Sequence, residues 1–151
     1  MINLKNKLKA VTIILRASKS LEKLLKNDIS SYGLNTTEFG VLEFLYHRGP
    51  QPMSNLCKKL LMANSSMTYV VDNLVKNNYV DKYNDSEDKR SNFVALTEEG
   101  EKYIESIFPT HENRISEVFS VLSEEEQESM MESLKKVGIL AETIATNKEG
   151  K

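Results

Sequence analysis

Residues 54–96 read SNLCKKLLMANSSMTYVVDNLVKNNYVDKYNDSEDKRSNFVAL, and this stretch decides the fold. Pro52 and Ser54 open a short helix that carries Leu56, Cys57, Leu60 and Leu61. Only Met62 to Ser65 separate it from a second helix with Met67, Val70, Val71 and Leu74 on its inner side. Two short helices with so brief a junction predict a helix-turn-helix. After Asn77-Asn78 the texture changes. Tyr79-Val80-Asp81-Lys82-Tyr83 and Phe93-Val94-Ala95-Leu96 are rich in β-branched and aromatic residues, and a polar stretch from Asn84 to Asn92 lies between them. That pattern predicts a two-stranded hairpin with a long charged tip.

Upstream, the first 27 residues carry apolar side chains at Leu4, Leu8, Val11, Leu15 and Leu25, widened by Ile14, Leu21 and Leu24. So wide a stripe on a long helix is expected to pack on another part of the fold or on a second subunit. Asn35-Thr36-Thr37-Glu38 has the spacing of a capping box and starts the next helix, which stops at Gly49-Pro50. Downstream, Thr97 caps a helix with Glu98, Glu99 and Glu101 in its first turns, where the helix dipole favours acids. Pro109 is expected to bend or interrupt it. Ser123-Glu124-Glu125-Glu126 begins a last amphipathic helix through Met130, Met131, Leu134, Val137, Ile139, Leu140 and Ile144. The expected class is mostly α with a small β-hairpin wing (α+β), in one domain over residues 1–151.

The composition fits a globular chain: 40% hydrophobic and 28% charged residues, with a formal net charge of -2. The charge is unevenly spread. Residues 1–27 hold seven Lys/Arg against the single acid Glu22, while residues 97–133 hold eleven Glu against Lys102 and Arg114. Either these are two solvated helix faces of opposite sign, or the acidic half faces away from DNA while other surfaces approach its phosphates. No apolar run is long enough to span a bilayer and no export signal is visible. One cysteine, Cys57, allows no internal disulfide. The expected location is therefore cytoplasmic, without membrane association.

Three motifs in register resemble the MarR family of regulators. They are Ser65-Ser66-Met67-Thr68-Tyr69-Val70-Val71-Asp72-Asn73-Leu74, then Asp85-Ser86-Glu87-Asp88-Lys89-Arg90, then Leu96-Thr97-Glu98-Glu99-Gly100. The family's pattern has a Ser/Thr-rich start to the recognition helix, an acid-x-Arg wing and a closing Leu-Thr-x-x-Gly. The resemblance implies a winged helix-turn-helix lobe over 35–100, with dimerisation helices over 1–31 and 101–146. It also implies a homodimer on a pseudo-palindromic double-stranded DNA operator, acting as a repressor. Two positions depart from the pattern: Asn78 stands where glycine is common, and Ser86 where proline is common.

A recognition helix presents hydrogen-bonding side chains from its amino-terminal half. Asn64, Ser65, Ser66, Thr68, Tyr69 and Asn73 supply them here, although Asn64 and Ser65 are equally suited to cap the helix. Lys58, Lys59, Lys76 and Lys82 are candidate phosphate contacts, with plain solvation the commoner role for any single lysine. In the wing the resemblance sends Arg90 into the minor groove and gives Asp88 the task of orienting it and stiffening the tip, with Lys89 a further candidate DNA contact; a flexible polar turn is the alternative.

Members of the family commonly bind small aromatic or phenolic effectors. Phe39, Phe44, His47 and Met62 are the candidate lining residues, with core or surface roles as the alternative. Ile107-Phe108-Pro109-Thr110-His111 and Leu122-Ser123-Glu124-Glu125-Glu126 look like the quinone- and phenol-responsive (MhqR-like) branch. Cys57, beside Leu56 and Leu60, is expected to be a small core residue. His47 and His111 are the only histidines and no Cys/His cluster exists, so no metal and no cofactor are expected. The sequence has no phosphate-cradling glycine loop and no nucleophile elbow, which argues against an enzyme. The remaining rival is a winged-helix protein–protein adaptor without specific DNA binding.

Overall fold

The computed structural model describes residues 3–84, 87 and 92–149. Its elements are α1 (Leu4–Ser30), α2 (Thr36–Arg48), β1 (Gln51–Pro52), α3 (Met53–Leu60), α4 (Asn64–Lys76), β2 (Val80–Asn84), β3 (Asn92–Leu96), α5 (Glu98–Phe119) and α6 (Glu124–Glu149). Two compact units result, Met1–His111 and Glu112–Lys151.

Local chemistry sets the helix boundaries. The Asn35 side chain accepts the Glu38 amide at 2.8 Å, and the Asn35 amide donates back to Glu38 Oε1 at 3.1 Å. This closes the expected capping box. Gly49 ends α2 with φ at 73°, a conformation that costs other residues a steric clash. Ser123 and Glu126 form the second reciprocal cap, at 2.8 and 3.1 Å. Pro109 does not interrupt α5, which runs through it. Pro109 and Glu105, whose carbonyl loses its helical partner, are both exposed, so water can satisfy that carbonyl.

The hairpin gains a strand that the sequence does not announce. β2 pairs antiparallel with β3 in the register Val80↔Leu96 to Asn84↔Asn92. Gln51 and Pro52 add to the other edge of β3 opposite Val94 and Phe93, giving the order β1-β3-β2. The expected two-stranded hairpin is therefore part of a three-stranded sheet. Proline is tolerated because β1 is an edge.

The core of the first unit is built by α2, α3, α4 and the sheet. Val41, Leu42, Leu56, Met67, Val71, Leu74, Val80 and Val94 are fully buried there, joined by Ile104 from α5. The second unit differs. Every described side chain of α6 beyond Met130 is exposed.

Candidate nucleic-acid interface

The α4 sequence divides the helix into two faces. Met67, Val70, Val71 and Leu74 point into the core, and their 3-4 spacing leaves Asn64, Ser65, Ser66, Thr68 and Tyr69 exposed. Tyr69 keeps 69% of its surface, which is unusual for so large a ring. Asn73 is half-buried. Six hydrogen-bonding side chains thus come together on one helix, five of them on its open face. The capping alternative for Asn64 and Ser65 is not realised: Ala63 occupies the N-cap, without a side-chain cap, and both residues lie inside the helix. The Thr68 hydroxyl donates to the Asn64 carbonyl at 2.8 Å. Thr68 as a whole remains exposed.

The turn that aims α4 is tight. Leu61 ends α3 at φ 52°, and the Met62 amide returns to the Cys57 carbonyl at 3.0 Å. Leu61 is 92% exposed in this left-handed position, where glycine would be unstrained.

The Leu-Thr-x-x-Gly motif has a physical meaning. The Thr97 amide donates to the Tyr79 carbonyl at 3.0 Å, and its hydroxyl donates to the Asn78 carbonyl at 2.6 Å. The same hydroxyl oxygen accepts the Gly100 amide at 2.9 Å. One threonine therefore caps α5 and ties the hairpin base to the end of α4. Gly100 is needed because a Cβ there would lie 2.0 Å from the Tyr79 carbonyl oxygen. Asn78, the departure from the family pattern, takes the left-handed turn at φ 61° and donates its side-chain amide to Glu99 at 2.8 Å.

Two couplings escape sequence reasoning. Lys82 on β2 meets Asp72 on α4 at 2.8 Å, linking the hairpin to α4. His111 Nδ1 lies 2.9 Å from Asp28 Oδ2, both side chains being at least nine-tenths buried, and the Tyr32 hydroxyl donates to Asp28 Oδ1 at 3.0 Å. Nothing in the sequence pairs residues 83 positions apart. The placement of Asp28 beside Ile29 and four residues before Tyr32 was the available signal. Nearby, Tyr103 stacks on Tyr79 at 4.7 Å and donates its hydroxyl to the Tyr32 carbonyl. Burial raises the Tyr103 pKa above its ordinary value, with smaller contributions from Tyr79 and Glu38.

The wing residues Asp88, Lys89 and Arg90 lie outside the described residues. Of the four candidate effector residues, Phe39 is in the core against His111 at 4.5 Å between ring centroids. His47 is exposed beside Tyr46 and Phe108, Phe44 is half-buried beneath Lys59, and Met62 packs half-buried on the core. Cys57 is partly rather than fully buried, and its thiol lies 3.7 Å from Asn64 Oδ1. Among the described residues no group of His, Cys, Asp and Glu could hold a metal ion. Among the described residues no helix is long and apolar enough to cross a membrane.

A family model described as MarR family matches residues 34–91. The HTH-type transcriptional regulator MhqR of Bacillus subtilis (strain 168) is 42% identical over 134 residues, spanning 89% of this chain and 92% of that protein. The crystal structure of AbsC, a MarR family transcriptional regulator from Streptomyces coelicolor, has a TM-score of 0.85 at 20% identity, covering 95% of this chain and 99% of that one. A mutant MarR from E. coli complexed with operator DNA has a TM-score of 0.76 at 23% identity, covering 89% and 98%. Those two structures match the fold, while the Bacillus relative carries the family relationship.

Proposed function

The chain belongs to the MarR family of transcriptional regulators, and from that membership we propose that it binds a double-stranded DNA operator sequence-specifically as a homodimer in the cytoplasm. The observation that carries this reading is the division of α4. A helix anchored by four buried apolar residues presents Asn64, Ser65, Ser66, Thr68 and Tyr69 outward, the donor and acceptor set that major-groove readout requires. The fold is also that of a MarR protein whose structure contains operator DNA.

In this mechanism the open face of α4 reads base edges in the major groove. Arg90, supported by Asp88 and Lys89, enters the neighbouring minor groove, whose negative potential attracts it. Two copies related by a two-fold axis read a pseudo-palindrome. The protein acts as a repressor, and a small aromatic or phenolic ligand near Phe39, Phe44, His47 and Met62 releases it. Release requires that the ligand bind the DNA-free form more tightly than the DNA-bound form. The likeness to MhqR supports a place in the quinone- and phenol-responsive branch.

The test is binding to the DNA upstream of the protein's own gene, with random duplex as competitor and salt as a variable. Tight, salt-dependent binding that survives the competitor is expected, and Arg90→Ala should cost at least about 1 kcal/mol of it. Binding that ignores salt and sequence would instead favour the protein–protein adaptor.

A further inference from the structure

Between α3, the amino-terminal half of α4 and the strands of the hairpin lies a cleft of about 530 Å³. Ser54, Lys58, Asn64, Thr68, Lys82 and Asn92 contribute its polar lining, and among the described lining residues none is a carboxylate. Two ammonium groups among those residues make a setting for an anion. Asp72, which is not among the lining residues, holds the Lys82 ammonium at 2.8 Å. The Thr68 hydroxyl hydrogen is already given to the Asn64 carbonyl. The Ser54 hydroxyl and the Asn64 and Asn92 amides remain as neutral donors.

The position of the cleft says what the anion is. If α4 fills a major groove and the hairpin enters the adjoining minor groove, one sugar-phosphate strand separates the two grooves. That strand must pass between the two protein elements, and the cleft is the gap between them. We propose that the cleft seats a single phosphate of that strand, held by Lys58 and Lys82, with Asp72 as the positioning residue for Lys82. This rests on the DNA-binding reading above and adds a register-fixing contact to it. A phosphate gripped at the junction of α4 and the wing fixes the helix along its groove without reading a base itself.

The test uses the full chain and operator duplexes in which single phosphates are replaced, one at a time, by neutral methylphosphonates. The protein is unchanged in this arm, so misfolding cannot imitate the result. One position in each half-site should weaken wild-type binding several-fold, and the same replacement should cost Lys82→Gln or Lys58→Gln almost nothing. Each lysine variant should also flatten the salt dependence by about one unit of slope for each engaged copy. Asp72→Asn keeps both lysines, so it should preserve the slope but spread the loss over neighbouring phosphates. Losses that simply add in the lysine variants, in a wild-type protein that binds its operator, would overturn the phosphate seat alone. Competition by inorganic phosphate at constant ionic strength, indifferent to which duplex phosphate is neutral, would overturn it as well. Failure of the wild-type chain to prefer any duplex would overturn the DNA-binding reading and the seat with it. An unchanged position profile in Asp72→Asn would remove Asp72 from the assignment.

Discussion

The winged lobe and the last helix spend similar side chains in opposite ways. In the lobe, Leu42, Leu56, Met67, Val71 and Leu74 are wholly inside. In α6, Leu134, Val137, Leu140 and Ile144 are 42%, 57%, 60% and 51% exposed. The amino-terminal half of α1 resembles α6 in this respect, with Leu4, Leu8, Val11 and Leu15 all more than half exposed. Each such side chain gains roughly 1.5–3 kcal/mol on full burial. A single copy therefore buries the apolar side chains of its lobe but leaves many of those on its terminal helices exposed. In the function proposed above, the lobe reads DNA and the exposed apolar faces of the terminal helices pair two lobes.

The sharpest way to break the lobe is Gly100→Ala. The new methyl would press on the Tyr79 carbonyl oxygen, which is backbone and cannot swing aside. A loss of at least about 3 kcal/mol in denaturant unfolding is expected. Leu134→Glu combined with Val137→Glu attacks the other side of the comparison. It should weaken self-association at least thirtyfold, or about 2 kcal/mol, in sedimentation equilibrium. The lobe's own fold should survive, because neither residue belongs to its core. Asp28→Ala leaves His111 and the Tyr32 hydroxyl without that carboxylate in a nearly dry site, and should cost about 2–4 kcal/mol in the same unfolding assay. The smallest effect concerns pH. A raised Tyr103 pKa means that the unfolded chain releases this proton first. The stabilisation is thus complete below the ordinary tyrosine range and is lost as pH rises through the folded-state value. Tyr103→Phe should flatten the alkaline end of the stability–pH curve.

Much of the lobe is legible because its signals are local. The helix-turn-helix and the Asn35 capping box each lie within a few residues, where spacing fixes geometry, as does the Ser123 box that starts α6; the Leu-Thr-x-x-Gly closure is equally local but is read from the family pattern. Strand β1 is two residues long and one is a proline, so no alternation could reveal it. The Asp28–His111 and Asp72–Lys82 couplings depend on tertiary placement, which no periodicity encodes. The N-cap of α4 shows a subtler limit. Asn64 and Ser65 are good capping residues, yet the turn through Leu61 places Ala63 at that position and turns both outward. The residues best suited to a cap are therefore available to the interface.

The most direct single measurement is the mass and composition of the complex that forms on operator DNA, beside a scrambled duplex of equal length at physiological salt. Two chains on one operator duplex, persisting against excess scrambled competitor, are expected. One chain per duplex, or equal occupancy of the scrambled sequence, would contradict a paired lobe that reads sequence.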